Sequence, residues 1–252
     1  MGMSTKVAVI GASGRLGRLI CRLIDESDEF EVAARLGSGS DLAEMAGADV
    51  AVDVTLPGAS AAVVDSALAQ GLTVVVGTSG WSASRITSLE SRLQQYPDLG
   101  VLIIPNFSLG SMLAMRFATM AARFFDSVEI VEAHHASKLD SPSGTAVRTA
   151  ELMQAARSDL GPVVSPHNDQ RARGQRVAGI PIHSLRLTGV SARQDVVLAG
   201  EGELLTISHE TLSPSSYEAG IMIALRAART ARGLTVGLDA LVDLGAAVGP
   251  PR

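Results

Sequence analysis

The stretch VAVIGASGRLG, from Val7 to Gly17, decides the fold. It opens with an apolar run typical of a buried strand and continues into three regularly spaced glycines at the start of an amphipathic helix. Such a turn lets backbone N–H groups and the positive helix end approach a pyrophosphate. Glycines can also serve tight packing alone, but the strand before them and the helix after them favour a dinucleotide site. The predicted cofactor-binding residues are Gly11, Ala12, Ser13, Gly14, Arg15 and Leu16.

The same alternation of short strands and alanine-rich helices continues through the first part of the chain. It predicts strands at Val7–Ile10, Glu31–Ala34, Val50–Val54, Thr73–Val76 and Val101–Ile104. The intervening helices are predicted at Arg15–Ser27, Ala59–Ala69 and Ser84–Tyr96. Strands separated by helices indicate a parallel sheet, so the fold class is α/β with a Rossmann-type parallel sheet.

The pattern changes after a helix predicted at Ser111–Phe125. Strands are expected at Val128–Ala133, His183–Thr188, Asp195–Leu198 and Leu204–His209, with a helix at Thr145–Ala156 and a polar loop at His167–Gly179. Close spacing and glycine turns indicate a second α+β domain with a mixed or antiparallel sheet. Because a long helix at Tyr217–Arg232 resembles those of the first part, we expect residues 1–106 plus 216–252 to form a dinucleotide-binding domain. Residues 107–215 would form the second domain.

Composition excludes several classes of function. The chain has 252 residues, 46% of them hydrophobic, and a net charge of −5, which argues against a nucleic-acid-binding protein. A single cysteine, Cys21, allows no intrachain disulfide. No apolar run reaches the length of a membrane span, and the start of the chain lacks the apolar core of a signal peptide. We therefore expect a cytoplasmic protein without nucleic-acid or membrane partners.

The most informative stretch is EAHHASKLDSPSGTA, from Glu132 to Ala146. Ser143, preceded by a proline, is a predicted N-cap, so the N–H groups of Gly144 and Thr145 would be free to bind a carboxylate. Lys138 is one of only two lysines in the chain and would add a positive charge. A histidine nearby could donate a proton near neutral pH.

Each of these features also has a plainer interpretation. A Ser-Gly-Thr helix start is often only a cap, a lysine before a turn is often solvated, and one histidine of a pair is often buried for structural reasons. A metal site built from Glu132, His134, His135 and Asp140 is conceivable, but adjacent histidines on an extended segment point to opposite faces. The sequence therefore predicts no metal.

Taken together, these residues resemble the dihydrodipicolinate reductase family, whose hallmark is an E-x-H-H-x-x-K-x-D-x-P-S-G-T-A segment with every fixed position present here. The glycine loop, the turn at 77–80 and the segment at 105–108 are also similar to family motifs. The resemblance covers nearly the whole chain. It implies NADPH- or NADH-dependent reduction of a cyclic imine dicarboxylate on the route to diaminopimelate and lysine, by a homotetramer that associates through the second domain's sheet.

The resemblance also implies roles for individual residues. His134 would protonate the ring as hydride arrives, and Lys138 would anchor a carboxylate and assist proton transfer. The substrate would be held by His135, Lys138, Ser143, Gly144 and Thr145. Beyond the glycine loop, the cofactor would contact Gly77, Thr78, Ser79, Ile104, Pro105, Asn106 and Phe107.

Cofactor choice departs from the simplest expectation. Where many relatives carry an acidic ribose ligand, this chain has Ala34 followed by Arg35, with no carboxylate beside them in the sequence. An arginine at this place accepts a 2′-phosphate, so Arg35 is a predicted cofactor-binding residue and NADPH should serve at least as well as NADH. The turn Thr188-Gly189-Val190 also departs from the family pattern.

Two other functions compete with this interpretation. The first is a different reductase, acting on small carboxylates or aldehydes. A thioester-forming aldehyde dehydrogenase needs a cysteine beyond the first domain, whereas Cys21 lies on the helix after the glycine loop. The second is a catalytically inactive nicotinamide-binding regulatory protein. Retention of both His134 and Lys138 argues against it.

Overall fold

The computed structural model describes residues 4–167 and 169–243. The chain divides into two compact units, the first containing the described residues up to Leu109 and from Tyr217 onward, the second spanning Gly110–Ser216. The very start of the chain, from which a cytoplasmic location was inferred, and the predicted domain ends at 1 and 252 lie outside the described residues.

The first unit is built on a parallel six-stranded sheet in the order β11-β5-β4-β3-β1-β2. The strands are β1 (Thr5–Ile10), β2 (Phe30–Leu36), β3 (Val50–Asp53), β4 (Thr73–Val76), β5 (Gly100–Ile103) and β11 (Gly233–Val236). The short central strands β3, β4 and β5 are buried along their whole length, as expected for a sheet covered on both faces. The predicted Rossmann-type parallel sheet is confirmed.

Among the described residues, four α-helices belong to this unit: α1 (Arg15–Asp25), α2 (Ser60–Ala69), α3 (Ala83–Leu93) and α6 (Glu218–Ala228). Apolar residues of α2 and α3 pack with the inner strands in one core cluster, which includes Val64, Leu68 and Leu89. Helix α6 contacts α1, β4 and β5, so it packs with the first sheet.

The second unit contains a mixed five-stranded sheet in the order β10-β9-β6-β8-β7. Its strands are β6 (Ser127–His135), β7 (Gln175–Val177), β8 (Ile180–Leu187), β9 (Ala192–Gly200) and β10 (Glu203–Thr211), and its helices are α4 (Leu109–Ala121) and α5 (Gly144–Ala156). Only β6 and β8 pair in parallel, because α5 lies on the connection between them. Helix α5 covers one face of this sheet, where Ile130, Ile182 and Val196 form the core with its own Met153.

Two regions differ from the sequence-based prediction. The stretch His167–Gly179, predicted as a loop, contains a short 3-10 helix at Arg171–Arg173 and strand β7. The helix predicted at Tyr217–Arg232 ends at Ala228, and the chain then forms β11, which was not predicted. Gly233, with φ of +67°, turns the chain into this strand, whose four residues pair with β5.

Among the residues that the structure describes, no helix combines the length and apolar character needed to cross a membrane. Within the same residues, no group of three or more histidine, cysteine or acidic side chains is placed to hold a metal ion.

Candidate functional site

The glycine loop lies between β1 and α1 and cannot accommodate side chains at two of its glycines. Gly11 has φ of +91°, and a Cβ atom there would lie 2.5 Å from the carbonyl oxygen of Val54. A Cβ atom on Gly17 would lie 2.1 Å from the carbonyl oxygen of Gly11. The N–H groups of Gly11 and Ala12 donate to the Leu36 carbonyl at the end of β2, at 2.9 and 3.0 Å. The loop is therefore held close to the sheet edge.

The start of α1 is open to an anion. Its N-cap, Gly14, supplies no side-chain cap, and the first helical turn contains no acidic residue. The unpaired N–H groups and the helix dipole at such an end favour negative charge. Arg15 is exposed beside it. Arg18, which sequence reasoning did not single out, donates from Nη1 to the Ser13 carbonyl across the loop.

The other predicted cofactor segments follow neighbouring strands of the same sheet. Gly77 follows β4, and a Cβ atom there would lie 2.7 Å from the ring of Phe107, which is buried after β5. In the loop after β4, Thr78 is buried and Ser79 is exposed. In the loop after β5, Pro105 is exposed, and the side chain of Asn106 accepts the N–H of Ser108 at 2.9 Å. Ile104 is fully buried. Because carboxyl ends of parallel strands share one edge, these loops line the edge where open α/β sheets bind ligands.

Asp53, at the end of β3, is a residue at this edge that sequence reasoning missed. Its side chain is fully buried and accepts bonds from the Thr55 N–H at 3.0 Å, from the Thr55 hydroxyl at 2.6 Å and from the Ser60 hydroxyl. These bonds fix the turn that brings the Val54 carbonyl against Gly11. A single aspartate at the end of an apolar run gave no signal of this role.

Arg35 is the one predicted cofactor residue whose surroundings differ from expectation. The sequence places no carboxylate beside it, but in the structure its Nη2 atom lies 2.7 Å from both carboxylate oxygens of Asp25, the last residue of α1. Both side chains are about half exposed. They line an open cavity of about 410 Å³ together with Ala12, Arg18, Cys21, Arg22 and Glu26. The packing of α1 on β2 thus brings to Arg35 a carboxylate that is not beside it in the sequence.

In the second unit, the predicted catalytic segment runs from the end of β6 through a turn into α5. The Lys138 N–H donates to the His135 carbonyl at 3.0 Å, which closes the turn. Ser143 caps the helix, since its hydroxyl accepts the Ala146 N–H at 3.2 Å. The predicted N-cap is thus present. A Cβ atom on Gly144 would meet nothing within 4 Å, so the helix start is open to a ligand.

Glu132 joins the parts of this segment. It is fully buried, and its carboxylate lies 2.6 Å from Nδ1 of His134. It accepts the Ser143 N–H at 3.1 Å and two bonds from the guanidinium of Arg186, at 2.9 and 3.0 Å. The carboxylate thus connects β6, β8 and the start of α5.

Two pKa values follow from these contacts. Burial raises the pKa of Glu132, but bonds from Arg186, Ser184 and His134 outweigh it and hold that pKa below its ordinary value. For His134, burial lowers the pKa and the bond to Glu132 opposes this, with a net lowering. The site therefore contains an ionised carboxylate and a titratable imidazole in direct contact.

Lys138 and His135 have their own partners. The Lys138 ammonium lies 2.7 Å from the Asp140 carboxylate, and this ammonium is the main cause of the lowered pKa of Asp140. The side chain of Lys138 is 22% exposed, so the charge remains within reach of a ligand. His135, on the opposite face of β6 from His134, places Nδ1 2.8 Å from the Ser137 hydroxyl.

Arg186 is the member of this group that sequence reasoning missed. It lies on β8, opposite His134 in the parallel register with β6, and it also donates to the Asp140 carbonyl. Nothing in the sequence marks it, because its role depends on pairing between strands separated by an entire helix. The other residues of the group, including Thr145 at the half-buried first turn of α5, come from the one predicted segment.

Comparison with known proteins gives consistent matches over both units. A family profile described as "Dihydrodipicolinate reductase, N-terminus" matches residues 5–107, and one described as "Dihydrodipicolinate reductase, C-terminus" matches residues 110–242. The 4-hydroxy-tetrahydrodipicolinate reductase of Clavibacter sepedonicus is 64% identical over 242 residues, covering 96% of this chain and 87% of that protein. The enzyme of the same name from Streptomyces griseus subsp. griseus is 45% identical over 245 residues, covering 95% and 98%.

A solved structure agrees with these sequence matches. The dipicolinate-bound dihydrodipicolinate reductase from Paenisporosarcina sp. TG-14 is 28% identical, with a TM-score of 0.80, and the match covers 95% of this chain and 100% of that one.

Proposed function

This chain belongs to the dihydrodipicolinate reductase family, and we propose that it performs the family's reaction with His134 as proton donor and Lys138 as substrate anchor. The reaction is the NAD(P)H-dependent reduction of 4-hydroxy-tetrahydrodipicolinate to tetrahydrodipicolinate in the biosynthesis of diaminopimelate and lysine. A hydride and a proton are added, and the hydroxyl group leaves as water.

The observation that carries this assignment is the helix start beside an ammonium and an imidazole. The open N–H groups of Gly144 and Thr145 and the charge of Lys138 suit a carboxylate. Ser143 holds this helix start through its cap, and His135 adds a polar side chain on the same segment. A dicarboxylate is therefore the substrate that these residues would bind.

His134 would supply the proton. Hydride addition to a conjugated imine builds electron density on the neighbouring ring atoms, and a proton donor lowers that barrier. Glu132 occupies Nδ1, so Nε2 is the ring nitrogen left to give the proton. Lys138 would stabilise the developing negative charge and assist the transfer.

The first unit fits a nicotinamide cofactor, which supplies the hydride when bound. The uncapped start of α1 and the glycines with no space for a Cβ atom suit a pyrophosphate against the loop Gly11–Leu16. The residues of the sheet edge that would contact the rest of the cofactor are Gly77, Thr78, Ser79, Ile104, Pro105, Asn106 and Phe107.

Arg35 would contact a 2′-phosphate at the end of β2. Its guanidinium is half exposed and lines the open cavity beside Ala12 of the glycine loop. Arg18 lines the same cavity, and Arg22, which also lines it, is ion-paired with Glu26. Both NADPH and NADH serve as cofactor in this family, and Arg35 would favour NADPH.

We further propose that the protein is a cytoplasmic homotetramer whose two domains have different roles. Residues 1–106 plus 216–252 would bind the cofactor, and residues 107–215 would bind substrate and oligomerise. A single, buried cysteine suits a reducing compartment. The sheet face of the second unit opposite α5 exposes Leu185, Leu187 and Leu204, which supports association through that face.

A coupled assay tests the activity. The condensation product of pyruvate and aspartate semialdehyde is supplied, and oxidation of NADPH or NADH is followed by absorbance. Oxidation that depends on this product is the expected result. Binding of either cofactor without any oxidation would instead indicate a nicotinamide-binding regulatory protein.

A further inference from the structure

The carboxylate of Glu132 and the guanidinium of Arg186 form a pair with no role assigned above. Glu132 is fully buried, and Arg186 contacts both of its oxygens. The same carboxylate contacts His134 Nδ1 and the Ser143 N–H, while Arg186 also donates to the Asp140 carbonyl. One buried ion pair thus touches the proposed proton donor, the cap of α5 and the turn that presents Lys138.

We propose that Glu132 and Arg186 are positioning residues that fix the orientation and the tautomer of the His134 ring, so that its transferable proton is always on Nε2. An ionised carboxylate can only accept, so Nδ1 of His134 must carry a proton in both charge states of the ring. Arg186 keeps Glu132 ionised although no water reaches it. The expected effect on kcat rests on the proposed function, whereas the expected effect on the His134 ring does not.

The charged groups facing His134 set the expected sign of its titration. Glu132 contributes negative charge from β6, whereas Lys138 from the turn and Arg186 from β8 contribute positive charge. The paired residue on β9 is Ala192, which carries none. Since the bond to Glu132 is the largest influence that raises the pKa of His134, removing it should lower that pKa.

The test is the variant Glu132→Gln, which keeps the shape and removes the charge. Histidine-labelled protein is titrated by ¹H–¹⁵N NMR with and without dipicolinate, and kcat and KM are measured across pH. We expect His134 to populate both tautomers and to lose its proton at lower pH. We also expect kcat to fall at least about tenfold, with a smaller change in KM. For comparison, loss of the carboxylate that orients the catalytic histidine of a serine protease lowers kcat about 10⁴-fold.

A matched control is available on the same strand. Glu129 lies 2.7 Å from Nε2 of His183 and also contacts Arg173, so it repeats the Glu–His–Arg grouping outside the proposed site. Glu129→Gln should leave the titration of His134 and kcat unchanged. The assembly state of both variants is checked by sedimentation.

A double variant separates positioning from folding. Glu132→Gln combined with Arg186→Gln removes both charges of the pair, and it replaces the single variant if that one does not fold. The proposal is overturned if His134 titrates in the folded variant as in the parent, or if the double variant recovers both stability and the parent kcat. If the parent itself fails to oxidise NADPH or NADH, the proposed function fails, but the NMR titration still decides whether Glu132 controls the ring.

Discussion

At the scale of single residues, His134 is subject to opposing influences on its proton. Burial lowers its pKa, and Glu132 opposes this. A general acid must be protonated to act, so kcat should fall as pH rises through that pKa. Because the net shift is downward, the fall should begin at lower pH than for a free histidine. A bound dicarboxylate adds negative charge near His134 and should raise the pKa of that histidine again.

The variant His134→Gln should lower kcat by about 10²- to 10⁴-fold, the usual contribution of a general acid, and change KM much less. It should also flatten the fall in kcat with rising pH. Rates are measured with saturating cofactor across pH for parent and variant. A variant with parent-like kcat and an unchanged pH profile would leave His134 as a structural histidine.

Arg35 tests cofactor choice. Arg35→Ala should reduce kcat/KM for NADPH more than for NADH, because only NADPH offers a 2′-phosphate. A charge-assisted bond contributes about 1.5 to 3 kcal/mol, but Asp25 already occupies the guanidinium, so the loss should lie near the lower end, about tenfold. Both cofactors are compared at one fixed salt concentration.

Asp25→Asn is the matching control, since it leaves Arg35 in place and removes the competing charge. It should leave kcat/KM for NADPH equal to or above that of the parent. Equal losses for both cofactors in Arg35→Ala would show that Arg35 does not distinguish them.

Residue types and their order were sufficient to predict much of the proposed site. The cap at Ser143 was predicted from one contiguous segment, whereas the contact between His134 and Glu132 was not. Arg186 and Asp25 could not be predicted, because their contacts come from strand register and from packing between α1 and β2. Local sequence patterns predict features formed by residues close in the sequence, whereas the contacts of Arg186 and Asp25 depend on tertiary structure.

At the scale of elements, apolar central strands were predicted and two short edge strands were not. Strands β3, β4 and β5 are buried along their whole length, mostly apolar and bounded by turn residues. Strands β7 and β11 are short and lie at sheet edges, so they carry no alternation distinct from a loop or a helix end. Each forms a strand because it pairs with a neighbour, β7 with β8 and β11 with β5. The sequence alone does not show which segments pair.

The glycine loop gives a prediction at this scale. In Gly17→Ala, the new Cβ atom would lie 2.1 Å from the Gly11 carbonyl oxygen and 2.7 Å from the Cα atom of Ala12, so the strand–turn–helix must shift. Such overpacking destabilises a fold by about 1 to 3 kcal/mol. Thermal unfolding and cofactor titration should show a lower Tm and weaker binding of both NADPH and NADH.

Gly58→Ala serves as its control, because a Cβ atom at Gly58 meets nothing within 4 Å. This variant should unfold and bind cofactor like the parent. Equal behaviour of the two variants would mean that the close approach of Gly17 to Gly11 does not constrain the loop.

At the scale of the whole molecule, the uncovered sheet face of the second unit is the feature that a single chain does not explain. Ile182 and Leu198 point into the core beneath α5, so alternation places Leu185, Leu187 and the neighbours of Leu198 on the opposite face. Leu204 pairs with Ala199 and shares that face, where it is 66% exposed. Exposed leucines grouped on one sheet face are typical of an interface between subunits.

Leu204→Glu tests the proposed homotetramer through this face. Leu204 lies at the end of the sheet near Ser127, far along β6 from His134, so the charge should disturb association without touching the proposed catalytic group. Sedimentation of the parent should give four times the monomer mass, and the variant should give a smaller species with a lower Tm, because burying a carboxylate between subunits is unfavourable. Leu160→Glu, at a half-exposed position outside the sheet, should remain tetrameric. If the parent sediments as a monomer, or if the Leu204→Glu variant stays tetrameric, this sheet face does not form the proposed interface.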